Sequence, residues 1–223
     1  MSDTGGFRIA VLISGSGTNL QAIIDAVQAG RIAAHVDRVI SNRPDAGGLE
    51  RAAAAGIATE VIDHRDFERR EAYDQALADR LEAARPDLIV LAGFMRILGA
   101  AFVARFTGRL INIHPSLLPA YRGLHTHERA IAAGERQHGC SVHYVIPELD
   151  AGPVIAQAAV PIHPDDDAAR LAQRVQAMEH VLYPQVVGWI ADGRVQLGDG
   201  GVRHDGRIPP HPPCLTPTAA TPG

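Results

Sequence analysis

Through the first half of this chain, short apolar runs alternate with helical segments, and no other feature restricts its possible folds as much. Apolar runs at residues 7–13, 36–40, 58–62, 87–92 and 109–113 read as strands. Between them, residues 18–29, 45–55, 66–84 and 98–106 read as helices. Leu20, Ile23, Ile24 and Val27 share one helical face, as do Tyr73, Leu77, Leu81 and Ala84. Thr18 and Gln21 have capping-box spacing, Gly56 ends the second helix, and Pro86 follows the third. Strands joined by crossover helices form an open, mainly parallel, twisted α/β sheet with helices on both faces. Ligands in such sheets bind at the carboxyl ends of the strands. Three polar segments fall there: residues 14–19, 93–96 and 112–116.

The second half changes pattern. Strand-like runs at 139–146 and 153–160 flank the connector 147–152 and give the sheet an antiparallel element. Residues 165–190 form a long helix with Leu171, Val175, Met178 and Leu182 as its inner stripe. Three aspartates, Asp165 to Asp167, suit its positive end. At 223 residues the chain fits one domain, 7–208, after a flexible N-terminus at 1–6. Residues 209–223 hold six prolines and are expected to be disordered. Aromatic residues are only 4%, so the core must be mainly Ala, Val, Ile and Leu.

A net charge of −4 without a basic run argues against nucleic acid as a partner. No apolar run approaches the roughly 20 residues of a membrane span, and residues 1–8 lack a signal-peptide core. Cys140 and Cys214 form no disulfide or zinc pattern, so a reducing, cytoplasmic setting is expected.

The chemistry concentrates in three places. Asn112 and His114, two apart on a strand, point to one face, and Pro115 and Pro119 then stop regular structure. Such a pair suits oxyanion binding and proton transfer, although an Asn cap and a core His are equally ordinary. Asp150, before Ala151-Gly152-Pro153, is an acid that no turn requires. Beside His114 it would orient the ring and favour its charged form. The turn Ser14-Gly15-Ser16-Gly17-Thr18-Asn19 offers backbone N–H groups and a helix start to a single phosphate. Leu20 replaces the third glycine of a dinucleotide fingerprint, and no Walker lysine follows. His125 and His127 raise a metal site, but no acidic cluster accompanies them. Arg70 reads first as a solvated helix residue, Phe94 and Met95 as core, and Glu179 as a surface carboxylate.

Five stretches together resemble the folate-dependent formyltransferase family of purine synthesis. They are LISGSGTNLQAI from Leu12, LAGFMRIL from Leu91, INIHPSLLP from Ile111, GLHTH from Gly123 and ELDAGPVI from Glu148. The similarity spans about residues 7–208 and implies a Rossmann-like formyltransferase fold. It implies transfer of the formyl group of 10-formyltetrahydrofolate, a cosubstrate, to the amine of glycinamide ribonucleotide, with no metal and no ATP. By that resemblance Asn112, His114 and Asp150 are catalytic. Gly17, Thr18 and Asn19 hold the phosphate, Gly15 and Ser16 shape its loop, and Glu179 binds the ribose. Arg70, Met95, Arg96, Ile97, Leu98 and Asn112 contact the folate, with Ser141 and His143 in support. Arg122 departs from the proline of many relatives and loosens the expected 121–127 loop.

Both substrates are small molecules, and the protein would act as a monomer or homodimer. Two other readings stay open at this point. One is a formyltetrahydrofolate hydrolase using the same Asn/His/Asp set; such relatives carry an extra N-terminal domain, for which a strand starting by Phe7 leaves no room. The other is a nucleotide-binding module without catalysis. A methionyl-tRNA formyltransferase would need a C-terminal RNA-binding domain, and the stretch after Ile190 is short and not basic.

Overall fold

The computed structural model describes residues 6–217. The alternating runs become strands β1 (Phe7–Ile13), β2 (Ala34–Ser41), β3 (Ala58–Val61), β4 (Leu88–Leu91) and β5 (Leu110–His114). Helices α1 (Thr18–Gln28), α2 (Gly47–Ala54), α3 (Arg70–Ala84) and α4 (Ala100–Arg105) join them. There follow α5 (Thr126–Ala132), β6 (Gln137–Tyr144), β7 (Val154–Pro161) and α6 (Ala168–Ala191). Strands β8 (Val195–Gly198), β9 (Gly201–His204) and β10 (Cys214–Leu215) complete the order. Eight strands form one sheet in the order β10-β7-β6-β5-β4-β1-β2-β3, and β8 pairs with β9 as a separate hairpin. Strands β1 to β5 pair in parallel, while β6 is antiparallel to both β5 and β7. The mainly parallel α/β sheet with an antiparallel element is thus present.

Strand periodicity sends alternate side chains to opposite faces. Ile9, Val11, Ile13, Val90 and Ile111 pack with α1, α2 and α6. Ala10, Leu12, Ile89, Leu91 and Leu110 pack with α3 and α4. Helices therefore cover both faces, and the central strand β4 is apolar throughout because neither of its sides meets water. The chain starts in the middle at β1, builds outward through β2 and β3, then crosses to β4 on the other side of β1. The turns after β1 and β4 diverge at that switch point, where such sheets open a crevice.

Several expectations need correction. The capping box does not form. Gly17 caps α1 with φ 71° and no side-chain hydrogen bond, and Gln21 bonds Asp25 instead. Gly17 is needed there because a Cβ would lie 2.5 Å from the Cα of Gly48. The third helix does not begin at residue 66. Asp63 accepts from the Arg65 N–H and caps a 3-10 turn, His64–Asp66. An extended Phe67 then reaches Tyr73 edge-on at 5.6 Å before α3 starts. Residues 209–217 are not a loose tail. Cys214 and Leu215 pair with Gln157 and Ala158 at the sheet edge, and the Gln157 N–H donates to the Pro213 carbonyl. Prolines tolerate an edge because their missing N–H need not serve a second neighbour. Residues 218–223 of the expected tail, and 1–5 of the expected flexible N-terminus, lie outside the described residues. Helix α5 and the β8–β9 hairpin were not anticipated.

Candidate active site

Strand β5 delivers Asn112 and His114 to the sheet face that α3 and α4 cover only as far as Leu110. Antiparallel β6 sets His143 opposite Asn112 and Ser141 opposite His114. The connector to β7 returns Asp150 to this group through a left-handed backbone, φ 49°. Its close passage requires Gly152, where a Cβ would collide with the Tyr144 carbonyl. Asp150 Oδ2 stands 3.4 Å from His114 Nδ1, and Oδ1 stands 3.8 Å from His143 Nε2. All three side chains are buried. The Gly123 N–H donates to Asp150 Oδ2 at 3.0 Å and orients the carboxylate.

Hydrogen-bond partners fix the imidazoles. His143 Nδ1–H donates to the Tyr144 carbonyl at 2.9 Å, which leaves Nε2 as an acceptor. Burial holds the His143 pKa below its ordinary value, so the ring is neutral. Its Nε2 accepts from Asn112 Nδ2 at 3.3 Å. That contact settles which end of the amide is nitrogen and leaves its second N–H for a ligand. His114 Nε2–H donates to the Tyr121 carbonyl at 2.9 Å, so its Nδ1 is the nitrogen that meets Asp150. A protonated His114 satisfies both contacts at once. Ser141 buttresses the proline turn: its hydroxyl donates to the Ser116 carbonyl and accepts from the Leu118 N–H and Gln157.

The turn after β1 is held from behind. Gly17 lies against Gly48, and Arg51 Nε donates to the Ser16 carbonyl at 2.8 Å. Gln21 N–H is the first to close a helical turn, on the Gly17 carbonyl, so the N–H groups of Thr18, Asn19 and Leu20 face outward from the helix start. Gly15 and Ser16 are exposed. The Asn19 side chain turns inward and donates to Glu179 Oε2 at 2.8 Å. What Asn19 offers an anion is therefore its backbone N–H. Glu179 is buried, correcting the surface reading from sequence, and burial raises its pKa against the pull of the Asn19 bond.

The turn after β4 presents Met95, 73% exposed, and Ile97, 59% exposed, while Leu98 tucks inward. These exposures overturn the core reading of Met95; Phe94 beside it is buried. Arg96 lies over the Tyr73 ring at 5.4 Å. Asp74 Oδ2 accepts from the Gly99 N–H at 2.8 Å. Arg70, half-exposed at the start of α3, has its guanidinium beside Gly99.

The structure thus gathers Asn112, His114, Ser141, His143 and Asp150 into one cluster. It joins Asn19 to Glu179, and Arg70 to the end of the 93–99 turn. Sequence reading missed Arg51, Asp74 and Gln176, whose side chain donates to Thr18 Oγ1 at 3.3 Å. Gln176 sits one helical turn before Glu179, a spacing that could have signalled it. Among the described residues no cluster of three or more His, Cys, Asp or Glu could hold a metal ion. The His127 ring packs instead against His138 at 5.1 Å.

The family model described as formyl transferase matches residues 7–187. A phosphoribosylglycinamide formyltransferase from Escherichia coli (strain K12) is 53% identical over 204 residues, covering 91% of this chain and 96% of that protein. The trifunctional purine biosynthetic protein adenosine-3 of Drosophila melanogaster is 53% identical over 188 residues, 83% of this chain but only 14% of that protein. The solved structure of the phosphoribosylglycinamide formyltransferase from Coxiella burnetii superposes with a TM-score of 0.90 at 51% identity, covering 95% of this chain and all of that one. The chain belongs to the formyl transferase family.

Proposed function

We propose that this protein transfers the formyl group of 10-formyltetrahydrofolate to the amine of glycinamide ribonucleotide, as a phosphoribosylglycinamide formyltransferase. The observation that carries the reading is the Asn112–His143–Asp150–His114 constellation, one strand away from the folate-type turn and two from the phosphate-type turn. The ribonucleotide phosphate sits on the N–H groups at the start of α1, its ribose toward Glu179. The folate lies along residues 95–98 with Arg70 at its outer end.

The amine lone pair attacks the formyl carbon, and a tetrahedral oxyanion forms. The free N–H of Asn112 donates to that oxygen, a contact whose loss typically costs about 100- to 1,000-fold in rate. His114 Nε2 is engaged by the Tyr121 carbonyl, so its protonated ring acts on the oxyanion chiefly as a charge, held by Asp150. A water at Asp150 relays the proton from the attacking nitrogen to folate N10 as the carbon–N10 bond breaks. The formyl donor is already activated, so the step needs neither ATP nor a metal.

The test is an assay with both substrates, following tetrahydrofolate and formylated ribonucleotide together. Equal yields of the two are expected, unchanged by a chelator. Loss of formylfolate without formylated ribonucleotide would indicate hydrolysis and overturn the assignment.

A further inference from the structure

Among the buried hydroxyls that the mechanism leaves unused, that of Ser14 lies between the two candidate binding turns. Ser14 ends the apolar run of β1 and is 5% exposed. Its Oγ accepts from the Met95 N–H at 2.7 Å and donates to Asn42 Oδ1 at 2.5 Å. Asn42, itself buried, is met in turn by His64 Nδ1, 2.9 Å from its carbonyl oxygen. The hydroxyl therefore bridges the two turns that diverge at the switch point of the sheet. On one side its backbone leads directly into Gly15 and the phosphate-type turn. On the other its side chain holds the turn that carries Met95 to Leu98. Asp74 anchors the far end of that second turn through Gly99, while Ser14, with the Ala92 N–H bond to the Leu12 carbonyl and the buried Phe94, positions the near end.

The first turn is held at one side, by Gly17 against Gly48 and Arg51 on the Ser16 carbonyl, and is exposed at Gly15 and Ser16. The second is exposed at Met95 and Ile97. An anion that fixes residues 15–19 also fixes Ser14, and with it the Met95 N–H. The ordering cost of the second turn is then partly met before its own ligand arrives, which is positive coupling between two sites. We infer that Ser14 is a positioning residue that couples the two substrate sites, so that occupancy of the phosphate turn tightens folate binding. This rests on the function proposed above.

The experiment measures the Kd of tetrahydrofolate with and without saturating glycinamide ribonucleotide, a pair with no formyl group to transfer. In the wild-type protein the ribonucleotide should tighten folate binding about two- to tenfold, the worth of one buried hydrogen bond. In Ser14→Ala the ratio should fall to about one, with binding of the ribonucleotide alone little changed. Ser14→Thr keeps the hydroxyl and should restore the coupling. Asn42→Ala, which removes the acceptor that orients the hydroxyl together with the Asn42 amide contact to His64, should lose part of it and serves if Ser14→Ala misfolds. A wild-type ratio of one, or the same ratio in Ser14→Ala, overturns the inference. Formyl transfer by the wild-type protein stands or falls separately, so failure of the coupling is not confused with failure of the function.

Discussion

Asp150→Asn is the cleanest perturbation of the cluster. The residue has φ 49°, a region that Asn enters as readily as Asp, whereas Ala there would add roughly 1–2 kcal/mol of backbone strain. The Asn oxygen can still accept from the Gly123 N–H, so the connector keeps its path. What disappears is a charge 3.4 Å from His114 Nδ1 in a site 8–9% exposed. At an effective dielectric constant near 20, that carboxylate attracts a protonated ring by about 5 kcal/mol. A neutral hydrogen bond to the amide retains about half, leaving a loss of about 2.5 kcal/mol. Turnover should therefore fall about 100-fold. Single-turnover transfer with both substrates saturating measures it, and thermal unfolding checks that the fold is intact. A folded variant with near-normal turnover would refute the electrostatic role of Asp150.

Three further outcomes follow from the same geometry. Gly17→Ala should lose more thermal stability than Gly48→Ala and should raise the KM for the ribonucleotide. Its Cβ meets backbone at 2.5 Å with φ 71°, whereas that of Gly48 first meets the movable end of Ile13; equal losses would contradict this. Burial raises the pKa of Glu179, so the folded state holds its proton after the unfolded chain has released it. Wild-type stability should therefore fall relative to Glu179→Gln as pH rises above 4.5, and a pH-independent difference in Tm would count against it. The His138 pKa is lowered to about 4 from 6.5, first by burial and then by His127. The unfolded chain then takes up the proton first, so stability should drop relative to His138→Phe as pH falls from 6.5 toward 4. A parallel pair of Tm curves would refute that.

The parallel half of the fold was legible because both of its signals are local. Strand runs such as Leu88–Leu91 are apolar on both faces, and α1 and α3 repeat apolar residues at helical spacing. What escaped depends on distant partners. Phe67 leaves the helical path to meet Tyr73, which no periodicity reports. The prolines of 209–213 resemble a tail until the edge of β7 is there to receive Cys214 and Leu215. Asn112, His114 and Asp150 stood out as polar groups at a strand end and in a turn. The buried state of Glu179, and the contact that turns Asn19 inward, come from a pairing 160 residues apart. His143 was visible only as a motif position, since its tautomer depends on the Tyr144 carbonyl.

The reversal of strand direction at β6 explains why the site lies where it does. On one sheet face the apolar residues of β1, β4 and β5 end at Leu110, where the cover of α3 and α4 ends. From there the same face carries Asn112 and His114 on β5, and Ser141 and His143 on β6. A parallel sixth strand would need a crossover helix, whose apolar stripe would have to bury this face. The antiparallel pairing needs none. Its register places two polar residues of β6 opposite two of β5, and the connector to β7 is free to bring Asp150 back against both imidazoles. Five groups from two adjacent strands and one turn thus converge on a face that helices leave uncovered. The turns after β1 and β4, which belong to the parallel half, open beside it.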